Sequence, residues 1–317
     1  MGSPPSLAIV VPCYNEEAVL PKTAAALRAL LADLTAKGAI APESFICFVD
    51  DGSYDGTWGI IQAMHRENAG LFKGISLAHN SGHQNALIAG LFSVCDKAEI
   101  AISVDADLQD DVSVMESFIE EYRTGHEIVY GVRRRRDSDT VFKRFTARLF
   151  YWLMARLGVT IIPDHSDYRL TSQRVIRELQ GFGEVNLFLR GIFPLMGFRS
   201  AHVAYDRLPR QAGATKYPLR KMLSFAWEGI TSFSIAPLRL MFLAGVVLFV
   251  FCGIMIVWNL YNWLIGGVIP GWTSTVLPIY TLGAIQLMSI GILGEYVGKI
   301  YKETKRRPRF LIDRELS

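Results

Sequence analysis

The chain has 317 residues, a formal net charge of +3 and an apolar fraction of 50%. This small charge gives no reason to expect a nucleic acid as a partner, and the length predicts one large domain with an additional segment. The four cysteines, Cys13, Cys47, Cys95 and Cys252, show no paired spacing, so free thiols in a reducing compartment are predicted and a structural metal site is not.

Strands and helices are predicted to alternate through the first part of the chain. Apolar strands are expected over residues 7–11, 45–49, 74–77, 100–104 and 127–130, and helices over 17–37, 55–68, 83–94 and 112–124. This alternation is typical of a parallel, doubly wound α/β sheet. In such a sheet, ligands bind outside the carboxyl ends of the strands, where the strand order reverses.

Three of these strands end in polar clusters. The first is followed by Pro12-Cys-Tyr-Asn-Glu16, the second by Asp50-Asp51-Gly-Ser53 and the fourth by Asp105-Ala-Asp107. Asp51 suits a ribose or a base edge, whereas Asp-Gly-Ser-x-Asp-Gly is also an ordinary turn sequence in which Asp55 caps the next helix. Tyr14 can stack on a base or pack beside Pro12.

The acidic cluster after the fourth strand is the most informative of the three. If the segment stays extended, Asp105 and Asp107 face the same way, and Gln109 continues that alternation. Their oxygen atoms suit Mg²⁺ or Mn²⁺ that also binds a diphosphate. An acidic strand end that only caps the next helix is the alternative, and the further acids at Asp110 and Asp111 weaken it.

The rest of the sequence predicts contact with a membrane. Basic and apolar residues alternate at helical spacing over residues 142–156 and 219–233. The first helix is expected either at a lipid surface or packed on the sheet with a solvated basic face, and the second at a lipid surface. Two nearly charge-free runs, 240–264 and 276–300, are each long enough to span a bilayer. Flanking basic residues, an uncharged linker at 266–275 and the lack of a secretory signal predict that both ends are cytosolic.

Five motifs follow one another along the chain. They are Pro12-Cys-Tyr-Asn-Glu-Glu17, Val49-Asp-Asp-Gly-Ser-x-Asp-Gly56, Asn80-x-Gly82-His-Gln84, Asp105-Ala-Asp-Leu-Gln109 and Arg210-x-x-Gly213-x-Thr-Lys-Tyr217. In this order they resemble the motifs of family 2 glycosyltransferases with a GT-A fold, and most closely those of the polyisoprenyl-phosphate group, with bactoprenol glucosyltransferases and dolichol-phosphate mannose synthases. Residues 294–308 resemble the end of the two-span, bactoprenol glucosyltransferase branch. The resemblance covers nearly the whole chain, with His79 and Thr215 as departures from the usual Arg and Ser.

The resemblance implies roles for individual residues. Donor binding is implied for Pro12, Tyr14, Glu16, Asp51, Asp105, Ala106, Arg133 and Arg169, of which the first four would hold the nucleoside. Binding of Mg²⁺ or Mn²⁺ is implied for Asp105, Asp107 and Gln109. A catalytic role is implied for Asp107, Asp167, Arg210 and Lys216, of which the last two would close over the phosphates and Asp167 would lie near the acceptor.

The resemblance also implies the arrangement of the whole protein. A GT-A, Rossmann-like catalytic domain is expected over residues 1–215, a juxtamembrane amphipathic helix over 216–237, two transmembrane helices over 238–302 and a basic cytosolic tail over 303–317. The protein is therefore predicted to be a multi-pass protein of the inner (cytoplasmic) membrane with its catalytic domain in the cytosol. Its oligomeric state is left open, and a homo-oligomer is compatible with the sequence.

The implied reaction is the inverting transfer of a sugar from a nucleotide-sugar donor to the phosphate of a polyprenyl phosphate lipid. UDP-glucose and undecaprenyl phosphate are the expected pair, with UDP-GlcNAc or GDP-mannose as alternative donors. Because a phosphate monoester is largely dianionic at neutral pH, its oxygen can attack the anomeric carbon without a strong general base. Asp167 is therefore expected to position Arg169 or a sugar hydroxyl. Residues 133–136 either help bring the phosphates together, or they form a solvated loop or contact lipid headgroups.

Two other classes of protein share part of this pattern. A processive polysaccharide synthase would carry Gln-x-x-Arg-Trp on an interfacial helix, and the sequence contains no such string. A membrane adaptor or lipid scramblase that keeps the fold without catalysis would not need Asp105, Asp107, Gln109, Arg210 and Lys216 together. The presence of all five residues favours the enzyme.

Overall fold

The computed structural model describes residues 3–133, 165–184, 188–206, 236–265 and 271–317. The chain divides into two compact units: the first comprises Met1–Tyr151, Thr160–Tyr217 and Arg306–Ser317, and the second comprises Trp152–Val159 and Pro218–Lys305. The first unit contains a β-sheet with its helices, and the described part of the second consists of two long helices. The amphipathic helices predicted over 142–156 and 219–233 lie outside the described residues.

The sheet of the first unit has eight strands. They are β1 (Leu7–Cys13), β2 (Phe45–Asp50), β3 (Phe72–Leu77), β4 (Ile100–Ser103), β5 (Ile128–Arg133), β6 (His165–Ser172), β7 (Ser200–Tyr205) and β8 (Ile312–Leu316). Their order across the sheet is β7-β5-β6-β4-β1-β2-β3-β8. β6 and β8 run antiparallel to their neighbours, and the other strands are parallel to one another. The predicted α/β fold with a mostly parallel sheet is therefore confirmed.

The described helices follow the predicted alternation in the first part of the chain. They are α1 (Leu20–Ala36), α2 (Thr57–Glu67), α3 (His83–Val94), α4 (Met115–Arg123), α5 (Gln173–Gln180), α6 (Leu189–Leu195), α7 (Ala236–Leu264) and α8 (Trp272–Thr304). The strands predicted as β1 to β5 and the helices predicted as α1 to α4 all form, with their ends displaced by a few residues. α4 begins later than predicted because a short 3-10 helix, Val112–Val114, occupies its expected start.

β1 lies near the centre of the sheet and is buried on both faces. All seven of its residues are buried. Ile9 and Val11 join a core cluster with Leu27 of α1. Val10 faces α3, where a Cβ atom added at Gly90 would lie only 2.4 Å from its Cγ1. Burial on both faces is typical of a parallel strand between two helical layers. This packing fixes the position of the strand ends around β1.

The second unit is described through α7 and α8, which contact each other. α7 contains a segment, Pro237–Met255, that is long and apolar enough to cross a membrane. Within the described ranges, no other helix meets both criteria. α8 extends over the second predicted run, but it mixes apolar residues with Thr, Ser and Gly and carries Glu295 and Lys299. The second predicted span is therefore helical, and its crossing of a membrane stays a prediction.

The last residues of the chain form a strand of the sheet. The sequence predicts only a basic tail over residues 303–317, without a strand. β8 pairs antiparallel with β3, and Leu316 lies opposite Gly74. The backbone N–H of Ala78 donates a hydrogen bond to the carbonyl oxygen of Leu311 at 2.9 Å. The final residues therefore belong to the first unit, and β8 forms one edge of its sheet.

Candidate active site

Two loops at the carboxyl ends of β1 and β2 are fastened to each other. The backbone N–H of Asn15 donates to Ser53 Oγ at 2.9 Å, and Asn15 Oδ1 accepts from the backbone N–H of Tyr54 at 3.1 Å. The backbone N–H of Glu16 donates to Thr57 Oγ1 at 2.9 Å. Asn15 has a positive φ of 55°, which Asn tolerates better than most residues. These bonds form a rigid frame at the strand ends, which we call the loop frame.

The nucleoside residues predicted on the first loop differ in accessibility. Pro12 is buried within β1 and pairs with Val49 of β2. Tyr14 is 39% exposed, and Glu16 is half-buried. A ligand at the strand ends can therefore reach Tyr14 and Glu16, whereas Pro12 shapes the strand end from inside. The nucleoside contacts of all three remain predictions.

Asp51 is buried and organises the loop before α3. Its Oδ1 accepts from the backbone N–H of Ser81 at 2.7 Å, and its Oδ2 accepts from that of Gly82 at 2.9 Å. Burial raises the pKa of Asp51, while these two hydrogen bonds oppose the shift. The carboxylate predicted to hold a nucleoside thus fastens the second loop to the third, and its contact with a nucleoside stays a prediction.

The chain turns directly after β4, and we call residues 105–109 the acid turn. The backbone N–H of Leu108 donates to the carbonyl oxygen of Asp105 at 3.4 Å, and Leu108 has a positive φ of 48°. The prediction of an extended segment through Gln109 is therefore wrong, because a left-handed residue breaks the alternation. Asp107 Oδ1 instead accepts from the backbone N–H of Gln109 at 3.2 Å.

The side chains of the acid turn differ in their exposure. Asp105 has a side chain that is 41% exposed, and burial together with nearby carboxylates raises its pKa. Ala106 is buried, and its carbonyl oxygen accepts from Thr23 Oγ1 at 2.6 Å, which ties the turn to α1. Gln109 is 5% exposed, and its Nε2 has no hydrogen-bond partner among the residues that the structure describes. The turn thus presents Asp105 toward solvent and keeps an unpaired amide below it.

The chemistry of the acid turn fits a hard divalent cation. Asp105 and Asp107 offer carboxylate oxygens, which Mg²⁺ and Mn²⁺ prefer. Burial is the main cause of the raised pKa of Asp105, and nearby carboxylates add to it with a repulsion that a bound cation would relieve. In the parts of the chain that the structure describes, no group of three or more His, Cys, Asp or Glu residues is arranged to hold a metal. The binding of a metal by Asp105, Asp107 and Gln109 stays a prediction.

Arg133 lies at the end of β5 and is tied to the residue that follows the acid turn. Its Nη2 donates to Asp110 Oδ1 at 3.2 Å, and its Nε donates to the Tyr205 hydroxyl at 3.1 Å. The Tyr205 hydroxyl donates to the same Asp110 oxygen at 2.6 Å. Arg133 therefore anchors the acid turn to β5 and β7, and its predicted donor contact stays a prediction. The basic residues that follow at 134–136 lie outside the described residues.

A group of cationic side chains surrounds Asp167 on β6, and we call it the Asp167 cluster. Arg169 Nη2 donates to Asp167 Oδ1 at 2.5 Å. Arg190 Nη2 lies 3.5 Å and His83 Nε2 lies 3.6 Å from Asp167 Oδ2. His83 Nε2 also lies 3.7 Å from Asp105 Oδ1. His83 therefore links the Asp167 cluster to the acid turn.

The cluster stabilises the ionised form of Asp167. Burial alone would raise the pKa of Asp167, but His83, Arg169 and Arg190 together hold it well below its usual range. Burial alone would lower the pKa of His83, but Asp167 and Asp105 outweigh it and raise that pKa. A carboxylate with so low a pKa is a weak base, which favours the positioning role predicted for Asp167.

Arg169 lies behind Asp167, deep in the unit. Its side chain is 1% exposed, and its Cζ lies 4.4 Å from the centre of the Phe193 ring. Within the described parts of the chain, its Nε and Nη1 atoms have no hydrogen-bond partner. The resemblance implied a donor contact for Arg169, but the structure places its guanidinium where it supports Asp167 from inside.

His83 and Arg190 are absent from the predicted site residues. His83 is the first residue of α3 and falls inside the motif Asn80-x-Gly82-His-Gln84, which gave a signal for it. Arg190 carries no such signal, because α6 reaches the site only through the fold. The backbone N–H of Leu189 donates to Gln84 Oε1 at 3.0 Å, so the same motif also holds the start of α6.

Two predicted catalytic residues, Arg210 and Lys216, lie outside the described residues. The described site therefore combines the loop frame, the acid turn and the Asp167 cluster at the ends of β1, β2, β4 and β6. A sheet that collects acidic and basic side chains at its strand ends is suited to a phosphorylated ligand.

Known proteins identify the class to which this site belongs. Residues 8–179 match the family model for glycosyl transferase family 2. The chain is 51% identical over 314 residues to the glycosyltransferase YkoT of Bacillus subtilis, which covers 99% of this chain and 93% of that protein. It is 36% identical over 309 residues to the bactoprenol glucosyl transferase of Shigella phage SfX, which covers 96% of this chain and 98% of that protein.

One solved structure with a similar fold is that of the mannosyltransferase PcManGT from Pyrobaculum calidifontis in complex with GDP-Man and Mn²⁺. It has a TM-score of 0.44, an identity of 16% and coverage of 93% of this chain and 87% of that one. The family match and the full-length relatives define a glycosyltransferase. The chain belongs to glycosyl transferase family 2.

Proposed function

We propose that this glycosyltransferase transfers glucose from UDP-glucose to the phosphate of a polyprenyl phosphate, such as undecaprenyl phosphate, at the cytosolic face of the cytoplasmic membrane. The observation that carries the proposal is the position of His83 between Asp105 of the acid turn and Asp167 of the Asp167 cluster. One side of this site suits a cation-bound diphosphate, and the other suits a second phosphate. Relatives named bactoprenol glucosyl transferase, at 35% to 36% identity over nearly the whole chain, support the choice of substrates.

On the donor side, Asp105 and Asp107 would hold Mg²⁺ or Mn²⁺, with Gln109 as a further ligand. A divalent cation bound there supplies positive charge for the departing diphosphate. Arg210 and Lys216 would contribute further positive charge over the same phosphates, as the family resemblance implies. The nucleoside would lie at the ends of β1 and β2, beside the loop frame.

On the acceptor side, the Asp167 cluster brings Arg169, Arg190 and His83 to one carboxylate. Arg169 balances Asp167, because the two groups lie 2.5 Å apart and largely away from solvent. Arg190, whose side chain is 34% exposed, contributes another positive charge 3.5 Å from the same carboxylate. A phosphate dianion would bind the guanidinium of Arg190, with His83 beside it.

The proposed reaction needs no strong base on the protein. The second pKa of a phosphate monoester lies near 6, so the acceptor is already largely dianionic at neutral pH. An acceptor oxygen attacks the anomeric carbon, the bond from that carbon to the nucleoside diphosphate breaks, and the configuration inverts. Asp167 would keep Arg190 and His83 in place or accept a hydrogen bond from a sugar hydroxyl. Holding two anionic reactants in one orientation would supply much of the rate increase.

The membrane part of the proposal is based on the second unit. The apolar segment of α7 would cross the bilayer. We propose that α8 forms the second span and that residues 216–237 lie at the lipid surface, which makes the protein a multi-pass protein. Both chain ends, and with them the catalytic unit, would then lie in the cytosol. This topology would give the site access to a lipid whose tail stays in the bilayer.

Lipid extraction after a labelled reaction tests the proposal. Purified full-length protein is incubated with Mn²⁺, undecaprenyl phosphate and radiolabelled UDP-glucose, and parallel reactions use UDP-GlcNAc or GDP-mannose. We expect label in the lipid fraction with UDP-glucose. Label with another donor would correct only the sugar, whereas no labelled lipid with any donor would contradict the proposal.

A pair of matched substitutions tests the acid turn in the same assay. Asp107→Asn keeps the shape of the side chain and removes its charge, so we expect transfer to fall by at least about 100-fold. Asp96→Asn is the control, because Asp96 has a side chain that is 83% exposed and pairs only with Arg177 among the described contacts. Equal turnover in the two variants would remove Asp107 from the metal site.

A further inference from the structure

Two tyrosine rings stand exposed side by side at the loop frame. Tyr54, on the loop after β2, is 82% exposed, and Tyr14, on the loop after β1, is 39% exposed. Their ring centres lie 5.8 Å apart, and the ring planes meet at 89°. The two rings therefore form a right-angled corner, which we call the tyrosine corner. Single exposed aromatic residues are common on protein surfaces, but a paired and oriented set suits a flat ligand.

The backbone beneath the tyrosine corner is fixed on several sides. Asn15 Oδ1 accepts from the backbone N–H of Tyr54 at 3.1 Å, and Ser53 Oγ accepts from that of Asn15 at 2.9 Å. Glu17 Oε2 accepts from the backbone N–H of Gly56 at 2.7 Å. A ring that projects from so well bonded a loop loses little conformational freedom when a ligand covers it. The exposure of Tyr54 is thus combined with a preorganised backbone.

A glycine holds the same loop against its other neighbour. Gly52 has a φ of +68°, and a Cβ atom added there would lie 2.6 Å from the carbonyl carbon of His79. The loop that carries Tyr54 is therefore packed directly on the backbone of the loop before α3. Asp51 fastens these two loops from below through Ser81 and Gly82.

Tyr54 and the acid turn follow strands on opposite sides of β1, while Tyr14 follows β1 itself. β2, which leads to Tyr54, pairs with one edge of β1, and β4, which leads to the acid turn, pairs with the other. Neighbouring strands lie about 4.8 Å apart, so the ends of β2 and β4 are separated by about 10 Å. A nucleoside diphosphate can span such a separation, with its base at one end and its phosphates at the other.

We propose that Tyr54 and Tyr14 together form the nucleobase-binding site of the donor, with Tyr54 as a second wall beside Tyr14. The base stacks on one ring and places its edge against the other. This inference rests on the proposed nucleotide-sugar donor, and it identifies Tyr54 as a binding residue for the base. Since Tyr54 is 82% exposed before binding, most of its ring is available to a ligand.

Nucleotide binding in the absence of acceptor tests the inference. The full-length protein with Mn²⁺ is titrated with UDP by calorimetry, and with GDP as a second nucleotide. We expect Tyr54→Ala to raise the Kd of the bound nucleotide about 10-fold, because one stacking surface is lost. Tyr54→Phe keeps the ring, so it should bind like the unchanged protein. Tyr301→Ala serves as the matched control, since Tyr301 is 59% exposed and lies on α8.

A ligand without a base separates stacking from a distorted loop. Binding of pyrophosphate with Mn²⁺ should be the same in Tyr54→Ala and in the unchanged protein. Three results would overturn the inference. Tyr54→Ala could weaken the binding of pyrophosphate and nucleotide equally, or it could leave nucleotide binding unchanged. The third is that the unchanged protein binds neither nucleotide. If Tyr54→Ala weakens only the nucleotide while no lipid product forms in the transfer assay, the base site stands and the proposed acceptor fails.

Discussion

Nη2 of Arg169 donates a hydrogen bond to Oδ1 of Asp167 across 2.5 Å, while the other two nitrogens of the same guanidinium have no hydrogen-bond partner in the described ranges. A buried cation with a single strong hydrogen bond depends heavily on that partner. Asp167 in turn depends on Arg169 for the charge that lies closest to it. The pair therefore connects the stability of the fold to the geometry of the proposed acceptor side.

Removing the charge of Arg169 should destabilise the first unit. We expect Arg169→Met to lower the free energy of unfolding by about 3 kcal/mol, because Asp167 then lacks its closest counter-ion. Chemical denaturation of the purified protein measures the change. Arg174→Met is the control, because the side chain of Arg174 is 72% exposed. This substitution should lower the free energy of unfolding by less than about 1 kcal/mol. Equal losses in the two variants would contradict a special role for Arg169.

Arg190 should affect the acceptor more than the donor. We expect Arg190→Gln to raise the KM for polyprenyl phosphate about 10-fold, because one charge-assisted contact is lost, with a smaller change in the KM for the nucleotide sugar. Steady-state kinetics with each substrate varied in turn measure both values. Arg177→Gln on α5 is the control, because Arg177 has a side chain that is 58% exposed and pairs with Asp96. A larger effect on the donor KM would place Arg190 on the other side of the reaction.

Loss of β8 should lower the stability of the first unit, although β8 lies far along the sequence from the residues that match the family model. We expect deletion of residues 312–317 to lower the free energy of unfolding by about 2 kcal/mol, because Leu316 and the pairing with β3 are lost. Glu315→Gln is the control, because it removes only the partly exposed ion pair with Lys97 and should cost less than about 1 kcal/mol. Thermal unfolding of the first unit is measured in both variants, each of which retains α7 and α8. Unchanged unfolding after the deletion would show that β8 adds no stability.

The described thiols should be protected in the folded protein. Cys13, Cys47 and Cys95 are free and buried. Burial raises the pKa of Cys47 to about 12, so almost no thiolate forms at pH 8. In a Cys252→Ser variant, we expect a thiol reagent at pH 8 to label the protein slowly until denaturant is added. Rapid labelling of the native variant would contradict this burial.

The raised pKa of Cys47 also predicts how the free energy of unfolding changes with pH. An unfolded thiol titrates near 8.5, and the folded Cys47 titrates at about 12. The raised pKa of Cys47 therefore contributes fully to the free energy of unfolding below about pH 8.5. This contribution is lost as the pH rises toward 12. The free energy of unfolding should fall with pH in this range, and a Cys47→Ala variant should show a smaller fall. Chemical denaturation at pH 8 and pH 10 compares the two proteins.

Much of the sheet can be predicted from the sequence because its first five strands are short apolar runs followed by helices of clear periodicity. β6 and β8 could not be predicted in the same way. β6 carries His165, Asp167 and Arg169 among its residues, and β8 contains Asp313, Arg314 and Glu315. Both strands depend on partners that lie far away in the chain, and a local pattern contains no information about such pairing.

The candidate site shows a similar division. Asp105 and Asp107 could be predicted because they follow an apolar strand directly. The turn at Leu108 could not, since leucine seldom adopts a positive φ and gives no signal for one. Arg190 could not be predicted because its neighbours in sequence carry no motif, and tertiary contacts such as the hydrogen bond from Leu189 to Gln84 bring α6 to the site.

The place of β8 in the order of synthesis has a consequence for assembly. The ribosome synthesises α7 and α8 before β8. β3 is therefore an unpaired edge strand of the nascent sheet until the last residues are made. An unpaired border is where other extended chains attach. The proposed insertion of α7 and α8 into a bilayer would thus precede completion of the sheet, and a chain stalled after α8 would be prone to aggregate.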